Sequence, residues 1–177
     1  MDVVVCGRAA SGRCPPGWVL RTAGRAPFTV VVDREDDVHV TRTVLAAHQP
    51  AAGQVVVHPT VGGEGRLLWH DVLHAVSGRL PDRPSRAGSA GRAEQEHAVR
   101  AALEAGDVRR LTVLRGHRVP LGVWADLVAL HRATGTDVSV VHHAPLPVDL
   151  AHLLRHCDHR MVTTRAAVQA LYPPARP

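Results

Sequence analysis

A glycine-rich turn is the first place where this sequence suggests chemistry. The segment "QVVVHPTVGGEGRLLWHDVLHAV", residues 54–76, predicts a strand, a turn and an amphipathic helix. Glycines let backbone N–H groups converge and a helix N-terminus adds positive potential, so such a turn can bind phosphate. The candidate phosphate-binding residues are Thr60, Gly62, Gly63, Gly65 and Arg66, with Arg115 from a later loop.

The complete phosphate-binding motif, GxxxxGK[ST], uses its lysine on the outer phosphates and its hydroxyl to hold Mg²⁺. Here Thr60 replaces the first glycine, Arg66 replaces the lysine and Leu67 replaces the hydroxyl residue. Arg66 can still pair with a phosphate through its planar guanidinium. The turn therefore predicts binding of ATP, ADP or phosphate, without the parts that metal-assisted phosphoryl transfer requires.

In the order of its elements, the stretch from residue 54 to residue 163 resembles P-loop ATPases of the AAA type. The resemblance implies an acidic pair at the end of a later strand, but "RLTVLRGH" ends in Arg115 and Gly116 before its histidine. It also implies a polar sensor at the end of the next strand, where His142 and His143 stand. The resemblance thus implies a non-hydrolysing pseudo-ATPase that acts as an accessory or regulatory module.

Two histidine pairs have the i, i+4 spacing with which a helix can grip zinc. "HDVLH" contains His70 and His74, and "HLLRH" contains His152 and His156. On a helical wheel both pairs lie opposite the apolar arc, which favours exposed histidines. The alternative is a zinc-dependent hydrolase in which His70 and His74 take a third ligand from a strand end. The candidates for that ligand are His142, His143, Cys157, Asp158 and His159.

The acidic run "DREDD", residues 33–37, follows a predicted strand and opens a predicted helix. Helix capping is the favoured interpretation, because carboxylates stabilise a helix N-terminus. Paired carboxylates could also bind a divalent ion, with Asp33 the best single candidate. Two other residues have structural interpretations: Trp124 is predicted to pack in the core, and Cys157 to act as a small buried hydrophobe.

The elements that must position these residues alternate between strands and helices, which predicts a three-layer α/β domain with a mainly parallel sheet of about five strands and helices on both faces. Strands are predicted at 28–33, 54–58, 110–114, 137–142 and 159–163. Helices are predicted at 36–48, 66–77, 93–105, 120–133, 147–157 and 164–171.

Residues 1–177 are expected to form one domain, with two additions to the α/β pattern. One is an N-terminal β-hairpin within residues 1–25, and the other is a mobile loop at 78–92 that is rich in Arg, Gly, Pro and Ser. Ligands of such folds bind at the carboxyl ends of the strands. Residues 58–66, 115–118 and 142–143 should share that edge, which we expect to be rich in Arg and His and nearly free of acids.

Composition limits what the chain can bind. All 21 basic residues are arginine and the net charge is +5, which favours nucleic acid or another polyanion as partner. Because Lys, Asn and Ile are absent, a GC-rich genome explains the arginine excess equally well. The sequence shows neither a signal peptide nor a membrane span, so a cytoplasmic protein is expected. A protein-interaction scaffold without a ligand, in a homo-oligomer or with another protein, remains the third functional alternative.

Overall fold

The computed structural model describes residues 4–5, 26–60, 65–77 and 92–173. Its sheet has six strands: β1 (Val4–Val5), β2 (Phe28–Val32), β3 (Gln54–Val57), β4 (Arg110–Val113), β5 (Asp137–His142) and β6 (His159–Val162). The strand order is β1-β6-β2-β5-β4-β3, and β2 to β6 are all parallel. The predicted five-stranded parallel sheet is therefore confirmed, with β1 added antiparallel to β6.

Six helices lie in the described residues: α1 (Val38–Ala46), α2 (Gly65–Ser77), α3 (Arg92–Ala105), α4 (Leu121–Thr134), α5 (Val148–Arg155) and α6 (Arg165–Leu171). Each corresponds to a predicted helix. Among these described elements, no helix combines the length and apolarity that a membrane span needs.

The two faces of the sheet bury two separate cores. From β3 to β6 the chain advances across the sheet in one direction, so right-handed crossovers place α2 to α5 on one face. The step from β2 to β3 runs the opposite way and places α1 on the other face, where α6 packs beside it. Alternate residues of one strand show this division, because Val30 belongs to the larger core and Val31 to the smaller one.

The reversal of direction creates a topological switch point between β2 and β5. These two strands are neighbours, yet the chain leaves β2 towards α1 on one face and leaves β5 towards α5 on the other. Two connections that diverge in this way leave a crevice at the carboxyl ends of the strands, where open α/β sheets bind their ligands. The fold therefore directs attention to the residues that follow β2 and β5.

Strand β3 is an edge of the sheet, and the chain just before it covers its free side. The backbone groups of Gln49 and Gln54 exchange hydrogen bonds of 2.8 and 3.1 Å. The Val56 N–H donates to Nδ1 of His48 at 3.0 Å. These contacts occupy backbone groups that an edge strand would otherwise offer to another chain.

Two expectations fall on residues outside those described. Val4–Val5 forms β1, but the second strand of the expected N-terminal hairpin lies in the segment from residue 6 to residue 25, outside the described residues. The expected mobile loop likewise lies outside them, except for Arg92, which begins α3.

Candidate functional site

The glycine-rich turn lies between β3 and α2, as the sequence predicts. Thr60 is engaged with Asp71 of α2: its N–H donates to Oδ2 at 2.6 Å, and its hydroxyl donates to Oδ1 at 3.0 Å. Gly65 and Arg66 belong to the first turn of α2, and Gly62 and Gly63 lie outside the described residues. The carboxylate of Asp71 thus fixes the entry of the turn by accepting two hydrogen bonds there.

His70 and His74 lie on α2, which follows the glycine-rich turn at the β3 edge of the sheet. His70 is half-buried and His74 is exposed, while His142 ends β5, separated from β3 by the whole of β4. A cavity of about 350 Å³ adjoins His74 but not His70, with His48, His58, Asp71 and His74 as its polar lining. Within the described part of the chain, His70, His74 and His142 do not form a group of three with converging ligand atoms.

The switch point brings together residues that are far apart in the sequence. The N–H of Asp33 donates to the His142 carbonyl at 3.0 Å, which extends the pairing of β2 and β5 by one residue. Asp33 and His143 are therefore neighbours at the carboxyl edge of the sheet. Asp36 joins them from the turn between β2 and α1.

The side chains of Asp33, Asp36 and His143 converge on one point. Nδ1 of His143 lies 3.1 Å from Oδ2 of Asp33 and 3.0 Å from Oδ1 of Asp36. One ligand atom from each of the three residues lies within 4.8 Å of the others, and the described residues contain no second group of this kind. Carboxylate and imidazole together suit Mn²⁺, Fe²⁺ or Zn²⁺. We call these three residues the switch-point cluster.

Two of the three cluster side chains are closed to solvent and the third is exposed. The side chains of Asp33 and His143 are 7% and 1% exposed, and that of Asp36 is 48% exposed. Nε2 of His143 is buried and has no hydrogen-bond partner among the described residues. Because the two carboxylates can only accept, Nδ1 carries the proton of neutral His143, and a cation at the cluster would have to move that proton to Nε2.

Arg115 closes the cluster from the end of β4. Its Nη1 donates to Oδ2 of Asp36 at 2.5 Å, and this bond holds the pKa of the Asp36 carboxyl below its usual range. Both residues have left-handed backbone, with φ of 55° at Arg115 and 53° at Asp36. Non-glycine residues in this conformation are strained, and such strain is concentrated at functional sites.

The expectation of an edge nearly free of acids is wrong. Asp33, Asp36 and Asp37 all lie at the carboxyl end of β2, and Arg115 is paired with one of them. Asp37 acts as the predicted helix cap: its Oδ1 accepts from the His39 N–H at 2.8 Å, and Arg165 donates to its other oxygen. The acidic run therefore divides its roles between capping α1 and forming the cluster.

Two more histidines surround the cluster. The ring of His117 lies 6.1 Å from that of His142 and 6.0 Å from that of His143, both edge to face. Burial lowers the pKa of His142 and of His143, and Arg115 acts in the same direction on His143. Partial desolvation and the neighbouring His143 also lower the pKa of His117, although its side chain is exposed. The folded protein therefore favours neutral imidazoles here.

This preference predicts that the metal-stripped protein loses stability as the pH falls from about 7 to about 5. A histidine with a lowered pKa binds its proton more readily when unfolded, so unfolding is favoured below the ordinary value of about 6.5. Each buried histidine can contribute a slope of up to about 1.4 kcal/mol per pH unit. Urea unfolding over this range measures the slope, which His142→Gln should make shallower. A free energy of unfolding that stays constant would contradict the expectation.

Sequence reasoning named Asp33 and His143 as separate candidates but did not join them, and it gave Asp36 no role of its own. Both residues were noticed because each lies at the end of a predicted strand. Their meeting follows from the adjacency of β2 and β5, which a single sequence does not reveal. Cys157, expected to be a small buried hydrophobe, packs against the larger core but is only partly buried, and this burial raises the pKa of its thiol.

Comparison with known proteins adds no relative to this geometry: no protein-family model matches the chain, and no curated protein matches it significantly.

Proposed function

We propose that this domain binds a divalent cation at the switch-point cluster and, through that cation, a phosphate-bearing ligand such as a nucleotide or inorganic phosphate. The observation that carries the proposal is the convergence of three ligand atoms within 4.8 Å at the switch point. With His143 neutral, the charges of Asp33, Asp36 and Arg115 leave one net negative charge, which favours a cation.

The surroundings of the cluster support an anionic ligand on top of the cation. Arg115, His117 and Arg118 follow β4, the strand next to β5, and His117 and Arg118 are exposed. A bound cation would also compete with Arg115 for the carboxylate of Asp36 and so release a guanidinium able to pair with phosphate. The overall charge of +5 favours approach of a polyanion.

We propose that the domain binds this phosphate-bearing ligand without hydrolysing it. The strand that the AAA-type resemblance would require to end in acids ends instead before Arg115 and Gly116. The P-loop-like site at Thr60, Gly65 and Arg66 stays a separate prediction, at the far edge of the sheet. The two phosphate locations can be distinguished by experiment, because they depend on different residues.

The first test is calorimetric titration of Mn²⁺ into metal-stripped protein. We expect binding in the wild type and at least roughly tenfold weaker binding in Asp33→Asn and in Asp36→Asn, because each loses a ligand. Asp107→Asn is the matched control, because Asp107 is also exposed and also has positive φ, at 45°. Mn²⁺ affinity that is the same in Asp36→Asn and Asp107→Asn would rule out the switch-point cluster as the cation site.

The second test is thermal unfolding with ATP, ADP and phosphate, each with and without Mn²⁺. A ligand at about 100 times its dissociation constant should stabilise the fold by roughly 2.7 kcal/mol. The proposal predicts a shift that needs Mn²⁺ and disappears in Asp36→Asn. A shift that needs no metal and disappears in Arg66→Ala would place the ligand at the glycine turn instead.

The remaining alternatives have their own signatures in the same experiments. A zinc hydrolase built on α2 predicts zinc binding that is lost in His74→Ala and unchanged in Asp36→Asn. An interaction scaffold predicts no stabilisation by any of these cations or anions. Either result would replace the proposed function.

A further inference from the structure

The second histidine pair lies at the C-terminal end of α5 and has a geometry that the switch-point cluster does not share. His152 and His156 are both exposed, and their Nε2 atoms lie 3.3 Å apart. The ring centroids are separated by 4.8 Å, with an angle of 71° between the planes. Two imidazole nitrogens therefore point at each other in a place that solvent can reach.

This separation suits two ligands of one metal ion. Zinc binds an imidazole nitrogen at about 2.0–2.1 Å and prefers tetrahedral geometry, so two such nitrogens lie about 3.3–3.4 Å apart. The separation of the two nitrogens fits such an ion, and binding requires the rings to turn so that both lone pairs converge on it. The C-terminal end of a helix carries partial negative charge, which favours a cation beside it.

Arg155 opposes such an ion in two ways. Its Nη2 lies 3.0 Å from Nδ1 of His152, and a guanidinium can only donate, so this Nδ1 is an acceptor. Neutral His152 then carries its proton on Nε2, the atom that a metal would need. The guanidinium of Arg155 also adds positive charge beside the two histidines.

We propose that His152 and His156 form a bidentate imidazole site for a borderline divalent cation such as Zn²⁺ or Ni²⁺, with water completing the coordination. Arg155 weakens this site by holding His152 in the wrong tautomer. Because the donor set is imidazole alone, it should discriminate against Mn²⁺ and Mg²⁺, which prefer oxygen ligands. The site is independent of the proposed function.

The experiment is calorimetric titration of Ni²⁺ and Zn²⁺ into the full chain carrying Asp36→Asn, which weakens the switch-point cluster. We expect His152→Ala and His156→Ala each to weaken binding by at least roughly tenfold, because one of two ligands is lost. Arg155→Gln should tighten binding about twofold to fivefold, as expected for removal of a surface charge. The change in affinity on Arg155→Gln is a readout that a merely structural role would not give.

The matched control is His97→Ala, which removes an exposed histidine of α3 that has no histidine one helical turn away. It should leave Ni²⁺ affinity within about twofold of its parent, a difference well below that of losing a ligand. Equal affinity in His152→Ala and in its parent would overturn the proposal, and so would weaker binding in Arg155→Gln. Because all three α5 side chains are exposed, their replacement should not unfold the chain, and circular dichroism checks this.

Discussion

Replacing Trp124 with alanine should lower the free energy of unfolding by about 3–5 kcal/mol. Its side chain is 1% exposed and is among the largest fully buried groups of the described residues. The indole packs on Phe28 and His142, with ring centroids 6.3 and 6.1 Å away, and its Nε1 donates to the Gly116 carbonyl at 3.2 Å. Alanine would leave a large cavity and an unpaired carbonyl, and urea unfolding measures the loss.

Trp124→Phe separates the two contributions. Phenylalanine keeps an aromatic ring but lacks the N–H, so a cost of about 1–3 kcal/mol is expected for the unpaired Gly116 carbonyl. The alanine variant should therefore be clearly less stable than the phenylalanine variant. Equal stability of the two would mean that packing on Phe28 and His142 contributes little. Because Trp124 supports both His142 and the turn that begins at Gly116, its loss should also weaken cation binding at the switch-point cluster.

Replacing Arg110 with methionine should lower the free energy of unfolding by about 1.5–3 kcal/mol, because the ion pair that it breaks is only partly buried. Nε and Nη2 of Arg110 donate to Oδ2 of Asp137 at 3.0 and 2.9 Å, and Nη1 donates to the Leu171 carbonyl at 2.6 Å. The guanidinium also lies over the ring of Tyr172, 5.5 Å from its centroid. Without Arg110, the carboxylate of Asp137, which is only 15% exposed, would lose its two hydrogen bonds from the guanidinium.

The double variant Arg110→Met/Asp137→Leu is the control for this prediction. If the cost comes from leaving the partly buried charge of Asp137 without its partner, removing that charge as well should restore much of the stability. Chemical denaturation of the wild type, both single variants and the double variant gives the coupling free energy. A double variant less stable than Arg110→Met would contradict this explanation.

The sheet was predictable because its signal is local. Buried parallel strands are nearly continuous runs of apolar residues, and the predicted range 28–33 differs from Phe28–Val32 by one residue. The start of α1 was predicted at residue 36 but lies at Val38. The difference arises because the Asp33 carboxylate accepts the Asp37 N–H in the turn before the helix, and the Asp37 carboxylate caps α1 by accepting the His39 N–H.

The candidate site was predictable only in pieces, because its assembly is not local. His143 and Asp33 are separated by 110 positions, and they meet because β5 pairs with β2 on one side as well as with β4 on the other. The strand order decides which ends are neighbours, and side-chain periodicity carries no information about it. The expectation that the carboxyl edge of the sheet would be nearly free of acids was wrong for the same reason. It did not consider that β2 also ends at this edge and is followed by Asp33.

The left-handed backbone at Asp36 and Arg115 places stability and binding in opposition. Glycine reaches this conformation without the strain that other residues suffer, so a fold under selection for stability alone would gain from glycine at both positions. Those two changes would remove a cluster carboxylate and the guanidinium paired with it. A thermostable redesign of this chain that relaxes the two turns would therefore abolish the proposed binding function, while the sheet and both cores remained intact.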